Sequence, residues 1–312
     1  MPTPADHPIS VRMKAEADRL RSELSASQGL ASSTFEALAR DADHVISALT
    51  DLGISEGAEP VERARGVLRS AADLHRDPAS GAVPPLNEEV YSAAVMISEL
   101  VDVIATVQNS ATGLIRLLAS SLITNGTDAR LRRLTLGFGA LCRRARIPVR
   151  PKTKSASIEL TISGWDVAGV GVVPEAPEGV DSWCEPAKNA VTEARRPCIV
   201  VLDASPILPL EEGVPRVADD ATAITVASSR IDRFLLGGQD RWAEQIGTDA
   251  AFALAAYATT PVINAASKRL LFIGCFRCIN LCSVDDPRAD RLAWFMDAIA
   301  TAPSPTRKDS RS

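Results

Sequence analysis

The sequence predicts an α/β protein: a helical N-terminal region followed by an α/β domain with a central mixed sheet. Three observations carry that prediction. Apolar residues recur at helical spacing through Ile123. After Pro148, "SASIELTISG" alternates Ile158, Leu160 and Ile162 with Glu159, Thr161 and Ser163, which is a strand pattern. "CIVVL" at 198–202 is an unbroken apolar run, the mark of a strand covered on both faces.

Taken in order, residues Ile9 to about Ser27 read as a charged amphipathic helix. "SSTFEALARDADHVISALTDLG" opens on a Ser/Thr cap and closes at Gly53. "PVERARGVLRSAADLHR" puts Pro60 at a helix start and Val61, Ala64, Val67, Leu68 and Ala71 on one face. Past the loop "DPASGAVPPLN", Asn87 caps "EEVYSAAVMISELVDVIATV", and another helical segment runs through Leu118, Leu122 and Ile123. "TNGTDARLRRLTLGFGALCRRARIPV" gives a helix with Leu131, Leu134, Phe138 and Leu141 on its apolar face. The hairpin at Ser157–Ser163 and Val167–Val173 follows, with its turn at Gly164 to Asp166. A helix from about Trp183 to Arg195 is then ended by Pro197. Downstream, "DAAFALAAYATTPVIN" reads as an apolar helix, "RLLFIGCFRCINLC" as a buried strand and "DDPRADRLAWFMDAIA" as a closing loop and helix. The domains expected are residues 1–123, helical; 124–300, α/β; and 301–312, a disordered tail.

Composition narrows the function. Aromatics are 4% of the chain, so the core is built from Ala, Val, Leu and Ile, which suits a helix-rich or α/β protein. The net charge of −5 supplies no global field for nucleic acid, so such a role needs a local basic patch. The N-terminus has no apolar run after a charged start, and the region 101–123 is interrupted by Asp102, Gln108, Asn109 and Arg116. A cytoplasmic protein without a membrane partner is expected. "CFRCINLC" resembles a metal motif, but Cys275 and Cys278 are three apart on an extended strand and point to opposite faces. With no histidine or fourth cysteine nearby, no metal is expected there, and Cys275, Cys278 and Cys282 are read as reduced and mostly buried.

The densest basic region is Arg130, Arg132, Arg133, Arg143, Arg144 and Arg146. It is either a solvated helix face or a phosphate-contacting, nucleic-acid-binding surface. Asp203, at the end of the buried strand, either belongs to a site or turns the backbone at "DASP". His7, His44 and His75 all precede the α/β unit and read as surface or loop residues.

The order helix, β-hairpin, helix, buried strand resembles the core of the restriction-endonuclease-like, or PD-(D/E)XK nuclease, superfamily. "AKNAVTEARRPCIVVLDAS" is similar to the helix-to-strand joint of its bacterial members. "RLTLGFGALCRRARIPV" resembles the opening helix, and "LLFIGCFRCINLCSVDDPRA" the last strand and its loop. The likeness spans about Asp128 to Ala289. It implies a site in which carboxylates of the hairpin hold Mg²⁺ and a lysine positions the nucleophile. The positions offered are Glu159, Asp166 and Glu175, but Pro177 stands where the lysine is expected, leaving Lys188 of the next helix as its replacement. Gly137 and Gly139 occupy the opening helix where a third carboxylate would help. The resemblance therefore implies a catalytically degenerate nuclease-fold protein that acts through DNA or a protein partner, in defence or mobile-element biology. The alternatives are an active Mg²⁺-dependent DNA nuclease and a helical protein-interaction scaffold without enzymatic activity.

Overall fold

The computed structural model describes residues 31–54, 58–75, 87–107, 112–123, 126–152, 157–174, 181–208, 214–283 and 285–302. The expected helix at 9–27, Glu175, Pro177 and the tail from 303 lie outside them. The architecture is a helical N-terminal region followed by an α/β domain with a mixed sheet.

Among the described residues, a short strand β1 (Ala31–Ser33) comes first. Helix α1 (Phe35–Asp51) is capped by Thr34, whose hydroxyl accepts the Ala37 N–H at 3.2 Å, and the chain leaves it through Gly53 at φ 73°. Helix α2 (Ala58–His75) starts two residues before Pro60. Asn87 caps α3 (Glu88–Val107) by accepting the Val90 N–H at 2.8 Å. Helices α4 (Thr112–Ile123) and α5 (Gly126–Arg144) follow.

Strands β2 (Val149–Lys152), β3 (Ser157–Ile162) and β4 (Trp165–Val172) form an antiparallel meander. The turn between β3 and β4 is Ser163–Gly164, both at positive φ (48° and 76°), the backbone that a two-residue hairpin requires. It therefore lies one to two residues earlier than the sequence pattern suggests. Helix α6 (Cys184–Ala194) ends on Arg195 at φ 51° and returns the chain to β5 (Cys198–Asp203), parallel to β4. A 3₁₀ turn (Ser205–Ile207), strand β6 (Arg216–Val217), the long helix α7 (Asp220–Ile246), strands β7 (Ala251–Asn264) and β8 (Arg269–Asn280), and helix α8 (Pro287–Ala300) complete the order. The sheet runs β1-β8-β7-β5-β4-β3-β2, with β6 added beside β7.

One expected helix is a strand. "AFALAAYATTPVIN" is β7, parallel to β5 on one side and antiparallel to β8 on the other. Alanine favours helices, but this segment lies inside the sheet with both faces covered, and packing overrides propensity. Pro261 fits because its missing N–H faces a gap. Thr259 donates on that side to the Ser205 hydroxyl and Ile263 to the Pro215 carbonyl, and β5 pairing stops at Tyr257.

The expected strands at 157–163, 167–173, 198–202 and 270–281 do share one sheet, and β5 is buried along its whole length. Cys198, Val200 and Leu202 enter the core under α6 and α7, whereas Ile199 and Val201 enter the core under α5 and α8. Cys275 and Cys278 divide between the same two cores, as alternation requires. Both are buried and Cys282 is half-buried; all three are free thiols. Helices α1 to α4 pack on the α5 side of the sheet, where Ile263, Leu270 and Phe272 join their core.

Candidate functional site: a buried charge network at the end of the central strand

Residues 130, 133, 137, 141 and 144 form one stripe of α5, and 91, 95, 99 and 102 form one stripe of α3. The two helices pack together, so the stripes face each other above the sheet. Arginines on one therefore meet carboxylates on the other and at the end of β5.

The innermost pair is Arg130 Nε with Asp203 Oδ2, at 2.5 Å. Asp203 is fully buried. Its other oxygen accepts the Ser205 N–H at 3.0 Å, so Asp203 both turns the backbone and anchors a charge. Ser205 Oγ accepts the Thr259 N–H, and Tyr91 donates its hydroxyl to the Thr259 carbonyl at 2.7 Å. Burial and the nearby Asp203 charge push the Tyr91 phenol up to about 12. Burial opposes the charge on Arg130, but Asp203 and Glu99 outweigh it and raise its pKa.

Next along the stripe, Arg133 Nε donates to Glu99 Oε2 at 3.2 Å. Glu99 Oε1 is buried and has no partner. Burial pushes the Glu99 carboxyl up to about 7, against the pull of Arg133 and Arg130. Last, Arg144 Nη2 stands 3.7 Å from Asp102 Oδ2, while its Nε and Nη1 are buried without partners. A cleft of about 320 Å³ opens at the N-terminal turn of α5, lined by Arg130, Arg133, Gly126, Pro60, Met96 and Pro174.

This network absorbs half of the basic cluster read from the sequence. Arg130, Arg133 and Arg144 point inward to carboxylates, because α3 and β5 bring acids beneath them. Arg132 donates to Ser120 Oγ at 3.2 Å. Arg143 is half-exposed, and Arg146 is exposed in a left-handed turn at φ 60°. The six do not form one outward-facing surface.

The candidate metal-site residues that are described, Glu159, Asp166 and Lys188, do not come together. Glu159 is held by Lys152 at 3.0 Å and Arg196 at 2.9 Å. A hydrogen bond from Lys152 and the charge of Arg196 lower its pKa. Asp166 is exposed and accepts from Thr161 Oγ1 at 3.1 Å. Lys188 is exposed on α6. Glu159 is in register with Ala168 and, through it, with Cys198, at the start of β5. Asp203 ends β5, roughly 16 Å away at the rise of an extended strand. It also shares the α5 face with Ile199 and Val201, whereas Ala168 faces α6. Beyond Asp166, β4 reads "VAGVGV", with neither carboxylate nor lysine. Among the described residues no three metal-ligating side chains converge, and these positions do not fit a Mg²⁺ site. Also among them, no helix is long and apolar enough to cross a membrane.

No protein-family model matches the chain, and neither the curated proteins nor the solved structures give a match.

Proposed function

We propose that this chain is a catalytically degenerate protein of restriction-endonuclease-like layout that acts by binding DNA without cutting it. The layout is supported by the order α5-β2-β3-β4-α6-β5, in which an antiparallel meander is followed by a helix and a parallel return strand. The single observation that carries the reading is the dispersal of the acids among the described residues. Glu159 is neutralised at one end of the sheet and Asp203 is clamped by Arg130 at the other, on the opposite face. Metal-assisted hydrolysis needs oxygens that converge on one ion.

The DNA contact is assigned to the edge of the sheet rather than to α5. Arg150 sits opposite Glu159 on β2, and Lys152 and Arg196 both reach Glu159, so three cations surround one carboxylate. Arg195, the chain neighbour of Arg196, and Arg146, four residues before Arg150, are exposed in left-handed turns. This local surplus contacts phosphates against an overall charge of −5, so binding is weak and salt-sensitive.

Two assays on one preparation test the proposal. Duplex and single-stranded DNA incubated with Mg²⁺ or Mn²⁺ stay intact, and fluorescence anisotropy detects duplex binding that weakens steeply with salt. Reversal of Arg150 and Lys152 to Glu abolishes that binding. Metal-dependent cutting that disappears in Glu175→Ala and Lys188→Ala would overturn the non-cutting half. Binding unchanged by the double reversal would overturn the assignment of the edge.

A further inference from the structure

Beside Glu99 lies a small cavity of about 60 Å³, between α3, α5 and the sheet. Its walls are largely apolar, with Leu134, Phe138 and Leu141 from α5 and Val201 and Phe276 from the sheet. Its polar rim is unsatisfied. Glu99 Oε1, on a side chain 5% exposed, has no partner, and neither do the buried Nε and Nη1 of Arg144. Buried polar atoms are nearly always paired, so three without partners around one cavity point to a group that belongs there. The space admits about two waters or one small planar head group.

We infer that Glu99 and Arg144 form a binding site for the head group of a small apolar monocarboxylic acid, taken up together with one proton. The carboxylate accepts from Arg144, whose guanidinium matches a planar anion. The proton lies between the ligand and Glu99 Oε1, so that two carboxyl groups share one negative charge. The short apolar end, a methyl group in the smallest case, meets the α5 wall of Leu134, Phe138 and Leu141.

The charged and titratable groups around Glu99 suit this arrangement. Asp102 comes from α3 itself, Arg130, Arg133 and Arg144 from α5, Asp203 from β5 and Tyr257 from β7. Helices α1 and α2 meet α3 through apolar side chains. With Glu99 ionised, three carboxylates balance three guanidiniums. With Glu99 protonated, one positive charge is left to meet the ligand. Burial already holds the Glu99 carboxyl near neutrality, at about 7, so the proton is available in the ordinary range. The site is separate from the β2 edge and does not depend on the DNA reading.

Gly137 supplies a clean blocking variant. It lines the cavity, and a Cβ built there meets nothing within 4 Å, so a larger side chain enters the cavity and not the core. Calorimetric titration with acetate, and with acetamide as the neutral control, is run at pH 6 and pH 8. Acetate binds about tenfold more tightly at pH 6, the linkage of one proton to a group titrating near 7. Acetamide binds without that dependence. Gly137→Leu melts at or above the wild-type temperature and binds neither, and Glu99→Gln binds acetate equally at both pH values. The site is refuted if folded wild type takes up no acetate at about 10 mM, a limit of a few kcal/mol in affinity. It is equally refuted if binding survives Gly137→Leu, or if acetate affinity ignores pH.

Discussion

On the α6–α7 side of the sheet the core is closed by large apolar rings. Trp183 and Trp242 are fully buried with their centroids 5.3 Å apart, and Phe234 lies 4.6 Å from Trp242. Its prominent buried charge, Arg277, is paired with Asp232 at 2.9 Å and also donates to the Phe276 carbonyl. On the α3–α5 side the same strands are covered by three arginine–carboxylate pairs. Among the described residues of α3, α5 and β5, buried polar atoms left without a partner belong to Glu99 and Arg144, both members of these pairs. A buried ion pair adds little stability over a well-packed apolar pair, because desolvation offsets the attraction. The first face has the character of a stabilising core. The second keeps charge where apolar packing would serve stability as well, and that is where binding chemistry belongs.

The sharpest contrast comes from removing one member on each face. Arg130→Met leaves the fully buried Asp203 carboxylate without its cation and lowers stability by about 3–5 kcal/mol. Adding Asp203→Asn, which keeps the acceptor for Ser205 N–H and removes the charge, restores most of that loss. Trp242→Ala costs a similar amount, roughly 3–5 kcal/mol, through a cavity that no polar partner substitution repairs. Urea denaturation of the four proteins checks both statements.

A smaller difference appears with pH. Burial holds the Glu99 carboxyl at about 7 in the folded chain, above the ordinary glutamate value of 4.5, so the folded chain binds this proton more tightly than the unfolded one. Its stabilising contribution is full below pH 4.5 and is lost as pH rises through 7, on the order of 3 kcal/mol in all. Glu99→Gln flattens that part of the stability profile, whereas the α7-side variant Trp242→Ala leaves its slope in place.

The smallest effects compare glycines. A Cβ at Gly238 of α7 collides with the Trp242 ring, so Gly238→Ala overpacks that face and costs about 1–3 kcal/mol. Gly137 of α5 faces open space, so Gly137→Ala gains up to about 1 kcal/mol from helix propensity. Thermal melts that move in opposite directions separate the closed face from the open one.

The two faces were unequally legible in the sequence. The hairpin, the α6-to-β5 joint and the alternation of Cys275 and Cys278 follow from local spacing and stand in the structure. Strand β7 does not follow, because a strand covered on both faces has no polar period to distinguish it from a buried helix. Its "TTPVI" end, β-branched and holding Pro261, was the available signal against a helix. The inward turn of Arg130 was hidden for another reason. Asp203 lies 73 positions away in the chain, and such a pairing is set by the docking of α5 on β5. The stripe of acids at Glu99 and Asp102 is readable on α3, but its partner helix is not.

The state of one carboxyl group separates the charged face from the closed one most directly. Site-resolved NMR titration of Glu99, assigned by comparison with Glu99→Gln, measures it in the folded chain. A midpoint near 7 is predicted, with the carboxyl half-protonated at neutral pH because it is buried and one oxygen has no partner. A midpoint near 4 would contradict the account, since Glu99 would then be an ordinary ionised partner of Arg133 and the charged face would hold nothing in reserve for a ligand.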